Sequence, residues 1–428
     1  MMYNAQINPI KLQNNRFSIT LRSLGEFSYF QYIGGQFLAS IQENGFLIQP
    51  GDSICMNLKS SQNIYFTGIG SEKLNYQLYV GKFLTRWIPY KGNDNSPERF
   101  EYYRYETSKM LRLAIDSLNK IKPKISTNTY NVLSFSTASA FSDFYLRHIT
   151  AGYFNCDSIY KKLVKSELIN MNTLLTGFAS TDPLLIRNAY IYVSYLANFE
   201  ITYSQVFTES NRPLFSDYYN RIKNQFSGLI RDQLITYMFL AKARKNNSSA
   251  YITDALNLVK DSTCIKILLQ SYNSRTPGVK AYDFSLEDIN GKKIKLNDFR
   301  GKLVIMDTWF NGCGGCIGLT KRMEPIFERY KNNKSIVFIS VCVDKEKKKF
   351  EDGVKAGIYG FRNSIYVYTN GRGPSHPMLL YYQYVGYPNL LVIDKEGKII
   401  TADPPDPTNE IKKLELISLI DQNIGAGK

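Results

Sequence analysis

Three kinds of hydrophobic periodicity follow one another along the chain. In residues 1 to about 70, short apolar runs alternate with polar positions and are broken by turn residues: Phe17–Leu21, Phe27–Ile33, Phe46–Ile48, Ile54–Leu58 and Ile64–Phe66, with Pro50-Gly51-Asp52 between two of them. Period-two runs of this length and spacing predict a small β-sandwich. From about Ser71 to Tyr272 the apolar residues recur at three and four. That period predicts helices over Glu101–Ile121, Tyr130–Ile149, Asp157–Leu168, Asp182–Val206 and Pro213–Ala243, closed by Ala250–Lys260 and Ser262–Tyr272. Asp182-Pro183 makes a good start for one of them, a carboxylate cap followed by proline at the first helical position. No fixed period of about 30 to 50 residues recurs, so the region reads as a helical bundle and not a solenoid.

The remaining residues mix both periods. Asp283–Leu286 and Ile294–Leu296 alternate on either side of Asn290-Gly291, a pair suited to a tight turn, and so predict a hairpin. Leu303–Met306 and Leu390–Ile393 are apolar throughout, and Ile336–Val343 is so apart from Ser340, as strands covered on both faces are. Ser271-Tyr-Asn-Ser-Arg-Thr-Pro-Gly278 is polar and ends in Pro-Gly, a linker signature. The chain of 428 residues is long enough for two or three domains. The expected partition is a β-sandwich over 1–70, an all-α bundle over 71–272, a linker over 273–278 and an α/β domain over 279–428. Relative motion across the linker follows as the default.

Candidate chemistry is concentrated in Asp307-Thr-Trp-Phe-Asn-Gly-Cys-Gly-Gly-Cys316, which lies between a predicted strand and a predicted helix. Two thiols separated by two residues at a helix start can cycle between dithiol and disulfide. The attacking species is the thiolate, which a helix N-terminus stabilises through its dipole and unpaired N–H groups. Cys313 is therefore the expected nucleophile and Cys316, one turn further and more buried, the resolving thiol. The same spacing can form half of a structural zinc site, but no second C-x-x-C or C-x-x-H is present, and the two histidines, His148 and His376, are far apart. Asp307 ends an apolar strand, where a carboxylate is costly to bury without a task; with a raised pKa it can exchange a proton with Cys316. Gly386-Tyr387-Pro388 precedes the strand Leu390–Ile393, so Tyr387-Pro388 is a candidate cis bond whose backbone could pair with a substrate strand. Taken alone, Asp307 could equally be a turn carboxylate and Pro388 an ordinary trans proline.

With Asp307, Trp309, Cys313, Cys316, Tyr387 and Pro388 in this order, residues from about 278 to 422 resemble the thioredoxin-fold thiol:disulfide oxidoreductases of the TlpA/ResA type. The resemblance implies a central mixed sheet flanked by helices. It also implies catalytic roles for Cys313, Cys316 and Asp307, and substrate contacts from Trp309, Tyr387 and Pro388. The stretch Pro277–Lys302 is similar to that family's amino-terminal hairpin, and residues 345–387 to its insertion, where His376 is the ionisable group of note, with helix capping as its alternative role. Three glycines depart from the pattern. Gly312 replaces the usual aromatic before the first cysteine, and Gly314-Gly315 a pair that usually includes proline, so the redox loop should be open and flexible. Asn389 stands where threonine is common. A peroxidase of the same fold would need threonine three residues before its cysteine and proline four before that; Phe310 and Met306 occupy those places. The β-region resembles the amino-terminal domain that accompanies TlpA-type proteins of Bacteroidetes envelopes, which implies a scaffold or docking module.

Charge changes the picture little. The formal net charge is +16, with 23 basic and 18 acidic residues in 277–428, so the excess is spread over the whole chain. Lys345-Glu-Lys-Lys-Lys349 reads as the solvated start of a helix, and no nucleic-acid motif accompanies it. Cys55, Cys156, Cys264 and Cys342 lie in apolar stretches and read as buried single thiols. No signal peptide and no apolar run of about 18 residues is visible. The resemblance nevertheless implies the periplasm or envelope. No cofactor beyond the Cys313–Cys316 disulfide and no metal is expected; the implied partners are protein thiols or disulfides and a membrane electron donor. Two functions are consistent with these residues: an enzyme exchanging thiols and disulfides, as reductant or isomerase, or a binding protein whose amino-terminal domains hold a partner under a redox-sensitive latch.

Overall fold

The computed structural model describes residues 25–31, 45–60, 63–85, 89–92, 96–178, 180–211, 213–241, 249–361, 364–384 and 386–425. The strand expected at Phe17–Leu21, and Ile33 at the end of the next, lie outside them. Contacts divide the chain into two compact units: Met1–Ala241 with Leu258–Cys264, and Lys242–Asn257 with Ile265–Lys428.

In the first unit β1 (Ser28–Gln31) pairs antiparallel with β2 (Gly45–Ile48), and β3 (Ser53–Ser60) with β4 (Asn63–Ile69), giving two two-stranded sheets among the described residues. Such hairpins are marginal alone. Here α1 (Ser71–Thr85) supplies the missing face, its Leu74 and Leu78 packing with Phe46 and Phe66 while Phe30, Ile54 and Met56 flank them. Polar groups on α1 also complete the strands: Gln77 accepts the Leu47 N–H at 3.0 Å, and Asn75 both accepts from Phe66 N and donates to Phe66 O at 2.8 Å. One cysteine departs from expectation. Cys55 is exposed, because Ile54 and Met56 on either side of it face the core and strand alternation turns it outward.

The helical part comprises α2 (Pro97–Ile121), α3 (Thr127–Thr150), α4 (Ser158–Phe178), α5 (Pro183–Asn188), α6 (Tyr190–Phe207), α7 (Phe215–Gln225) and α8 (Gly228–Ala241). Two helices predicted as continuous are broken. Asp182–Val206 is interrupted at Ala189, with φ −95° and ψ 67°, and Pro213–Ala243 at Phe226 before Gly228, whose φ of +58° redirects the chain. Apolar spacing continued through both breaks, so periodicity alone could not register them. The Asp182 cap is present, its carboxylate accepting the Leu184 N–H at 2.8 Å.

Two helices follow, α9 (Ser249–Leu258) and α10 (Ser262–Arg275). α10 runs through most of the segment read as a linker: Ser271 and Ser274 are buried, and Gly278 N donates to Ile399 O at 2.8 Å. Gln270 and Tyr381 tie the end of α10 to residues 380 and 273 by side-chain to backbone bonds of 3.2 and 2.9 Å. Within the stretch, Ser274 Oγ donates to Ser271 O at 3.2 Å, a local bond that lets a polar residue sit inside.

The second unit is built on β5 (Ser285–Asp288), β6 (Lys293–Lys295), β7 (Leu303–Trp309), α11 (Gly314–Tyr330), β8 (Ile336–Cys342), α12 (Lys347–Ala356), β9 (Ile365–Tyr368), α13 (Pro377–Tyr381), β10 (Asn389–Ile393), β11 (Ile399–Thr401) and α14 (Glu410–Gly425). The seven strands form one mixed sheet in the order β11-β10-β7-β8-β9-β5-β6, parallel at β7–β8 and β8–β9 and antiparallel elsewhere. Strand β7 is buried along its whole length because both faces are covered. Leu303 and Ile305 pack on α11 and α14 through Met323, Phe327, Leu416 and Ile420, whereas Val304 and Met306 face Phe284, Leu286, Met378 and Leu379. This arrangement carries the end of β7 and the start of α11 to one end of the central sheet, at an interior strand. No helix among the described residues is long and apolar enough to cross a membrane.

Candidate active site

Cys313 and Cys316 are joined in a disulfide with Cα atoms 5.3 Å apart, at the point where β7 hands over to α11. Cys313 is the N-cap of the helix, its sulfur 3.1 Å from the Cys316 N–H that points at it. On reduction that amide and the helix dipole would stabilise a Cys313 thiolate. Both sulfur-bearing residues are nearly enclosed, Cys313 at 5% exposure and Cys316 at 2%, among Trp309, Cys342, Phe350 and Tyr359. Gly312 approaches the pair with φ +96°, a conformation that an aromatic residue there would adopt only with strain.

Asp307 lies on β7 opposite Ser340 of β8 and Leu390 of β10. It is 2% exposed, and its Oδ1 has no hydrogen-bond partner. Burial pushes its carboxyl up to about 7, overriding the opposite pull of the Ser340 hydroxyl beside it. Its partner in the β7–β8 register is the neutral Ser340, whose hydrogen bond offsets only part of the desolvation. A carboxyl near neutrality can take or give a proton at ordinary pH.

The Tyr387-Pro388 bond is cis, and the pair rests on the first turn of α11: a Cβ placed on Gly315 would stand 3.3 Å from Pro388 Cδ and 3.8 Å from Tyr387 O. Asn389 ties down the turn from its far side, its N–H and its Nδ2 both donating to Thr308 Oγ1 at 3.1 and 3.2 Å, with Nδ2 also donating to Gly386 O at 2.7 Å. Phe310, 37% exposed, meets Tyr387 edge-on at 6.0 Å.

Residues 277–402 match the AhpC/TSA family. The thiol-disulfide oxidoreductase ResA of Bacillus cereus is 28% identical over 147 residues, 33% of this chain and 80% of that protein. ResA of Bacillus subtilis is 30% identical over 129 residues, 30% of this chain and 66% of that protein. The solved thioredoxin domain of a thiol-disulfide oxidoreductase from Bacteroides vulgatus is 24% identical, with a TM-score of 0.30, and the match covers 36% of this chain and all of that one. Over these residues the chain is TlpA/ResA-like, similar to thioredoxin-fold thiol:disulfide oxidoreductases.

Within the thioredoxin-fold domain the structure brings Asp307, Cys313, Cys316, Tyr387 and Pro388 to one end of the sheet, but it moves Trp309 out of reach of any substrate. Trp309 is wholly buried and stacks on Tyr359 at 4.8 Å and 3°, with its far edge against Gly353, where a Cβ would come within 2.4 Å of Cζ3. The indole supports the redox loop from inside, because Phe350 and Tyr359 cover the face of β7 on which it lies. His376 takes its alternative role, capping α13 by accepting the Met378 N–H at 3.2 Å, and burial lowers its pKa. Asp344, Tyr359 and Gly353 were missed. Asp344 follows an apolar strand just as Asp307 ends one, and that signal could have found it; Tyr359 and Gly353 carry none. Among the described residues no group of three His, Cys, Asp or Glu could hold a metal ion.

Proposed function

We propose that the Cys313-Gly-Gly-Cys316 dithiol exchanges with protein disulfides, with Cys313 attacking, Cys316 resolving the mixed disulfide and Asp307 moving the proton that Cys316 must lose. The observation that carries this reading is the disulfide at the N-terminus of α11, with a buried carboxyl pushed up to about 7 on the strand that leads into it. In the exchange, the Cys313 thiolate attacks one sulfur of a substrate disulfide, the other substrate sulfur leaves as thiolate, and a mixed disulfide forms. The Cys316 thiol then loses its proton to Asp307 and attacks the Cys313 sulfur, releasing the second substrate sulfur and re-forming the Cys313–Cys316 bond. Two electrons pass to the substrate and must be returned by a dithiol donor, here taken to be a membrane-bound one. Tyr387 and Pro388 form the platform along which an extended substrate segment would lie.

We place the activity in the periplasm or envelope, as reductant or isomerase, with no cofactor beyond the disulfide. Residues 1–70 and 71–272 would hold the partner or position the redox domain. Insulin reduction by wild type and Cys313→Ser tests the reading: loss of turnover in the variant is expected, and no turnover by wild type with any dithiol donor would overturn it. The reduction potential of the couple, measured against glutathione, separates a reductant from an oxidant.

A further inference from the structure

Three consecutive backbone amides lead into Cys313, and each has a partner. Asn311 N–H donates to Asp344 Oδ2 at 2.7 Å, Gly312 N–H to Tyr359 Oη at 2.7 Å, and Cys313 N–H to Phe310 O at 3.2 Å. The first two acceptors come from other parts of the chain, 33 and 47 residues away in sequence. Both are themselves held. Cys342 donates its S–H to the same Asp344 Oδ2 at 3.4 Å, and burial keeps this cysteine a neutral thiol by raising its pKa. Tyr359 lies flat on Trp309, and its hydroxyl hydrogen points to Asn311 Oδ1 at 3.4 Å. The Asn311 side chain also donates to Lys349 O at 3.4 Å.

We propose that Asp344 and Tyr359 are positioning residues for Cys313: as paired acceptors they hold a glycine-rich loop in the one conformation that keeps the Cys313 sulfur at the N-cap of α11. The sequence of this loop makes such a brace necessary. Gly312 and Gly314 have open space where a Cβ would be, so no side chain of their own packs the loop, and the bulky aromatic that could anchor residue 312 is absent. Glycine at these places leaves the reduced loop free to depart from the helix end, with the thiolate then losing the dipole and the Cys316 N–H. Acceptors on a buried stacked ring and on a thiol-bridged carboxylate restrict it at two successive residues. Phe310 and Tyr387 lie on the outer side of the same loop, so its position also sets the surface offered to substrate.

This inference rests on the dithiol function proposed above, but its test needs no protein substrate. In the full chain, Tyr359→Phe deletes one acceptor while keeping the ring on Trp309; Asp344→Ala deletes the other, and Asp344→Asn keeps an acceptor oxygen without the charge. Two quantities are read: the equilibrium constant of the Cys313–Cys316 couple with glutathione, and the pH profile of Cys313 alkylation in reduced protein, resolved by mass spectrometry from that of exposed Cys55. Tyr359→Phe and Asp344→Ala should each shift the equilibrium constant and slow Cys313 alkylation at neutral pH by about three- to tenfold, the loss of one buried hydrogen bond. Asp344→Asn should stay within about twofold of wild type. Folded Tyr359→Phe with both quantities at wild-type values overturns the proposal, and it decides the matter even where Asp344→Ala fails to fold. An Asp344→Asn protein that behaves like Asp344→Ala overturns the hydrogen-bond account of Asp344. Failure of the dithiol function would instead appear as absent insulin turnover with these shifts intact.

Discussion

Gly315 faces Pro388 so closely that a Cβ on Gly315 would sit 3.3 Å from Pro388 Cδ. The glycine between the two cysteines is therefore a packing residue as well as a flexible one. It lets the Tyr387-Pro388 segment rest on the first helical turn, with the Tyr387 carbonyl 3.8 Å from where a Gly315 Cβ would stand. Gly315→Ala gains helix propensity, but Pro388 must yield by a few tenths of an ångström. The two effects should nearly cancel in stability, whereas displacement of the Tyr387-Pro388 segment should raise KM for insulin about two- to fivefold with little change in kcat. A KM at the wild-type value would show that the segment does not touch substrate.

The carboxyl of Asp307 links pH to both rate and stability. Its folded pKa of about 7 lies above the ordinary 3.8, so the folded state binds the proton more tightly than the unfolded one. Stability from this group is complete below pH about 4, falls as pH rises and reaches its full loss above pH about 7; three units correspond to roughly 4 kcal/mol. Asp307→Asn should accordingly unfold at higher urea concentration than wild type at pH 8 and lose that advantage at pH 4. Parallel urea curves at the two pH values would reject the buried-acid account.

In catalysis the sign is reversed, because a base must be deprotonated. Resolution of the mixed disulfide by Cys316 should slow as pH falls through about 7 in wild type, and Asp307→Asn should abolish that inflection and lower the rate about a hundredfold. Single-turnover kinetics with a trapped mixed disulfide would read it. An inflection that survives in Asp307→Asn would assign the proton to another group.

Gly353 leaves the space that Trp309 fills. Gly353→Ala improves helix propensity by about 1 kcal/mol, yet its Cβ would fall 2.4 Å from Trp309 Cζ3, far inside contact distance, with the rigid indole wedged against Tyr359. Overpacking should win, with a net destabilisation of about 1–3 kcal/mol and a shift in Trp309 fluorescence. A midpoint equal to or above wild type would mean that the stack can slide.

Thiol accessibility distinguishes the four free cysteines. In oxidised native protein a disulfide-exchange reagent should react rapidly with Cys55 alone, since Cys156, Cys264 and Cys342 are buried and burial raises the pKa of Cys264 and Cys342. All four should react after unfolding. Rapid labelling of Cys342 in the native state would contradict its place beside Trp309.

The sequence by itself determined the elements whose signals are local. Apolar runs marked β7, β8 and β10, Asn290-Gly291 marked the hairpin of β5 and β6, and the C-x-x-C at a strand-to-helix junction marked the chemistry. Asp307 was legible for the same reason, since a charge at the end of an apolar strand conflicts with its surroundings. What the tertiary structure decided were relations between distant residues. Only folding buried Trp309, under Phe350 and Tyr359, and turned Cys55 outward, because each depends on what distant residues cover its strand. Helix breaks at Ala189 and Phe226 are changes of backbone angle that leave the apolar spacing unchanged. The α10 extension through residues 271–275 required partners near Tyr381 that the chain supplies more than a hundred residues later. Asp344 and Tyr359 belong to the same class: a carboxylate and a phenol gain meaning only when long-range strand pairing sets their oxygens against two amides beside Cys313.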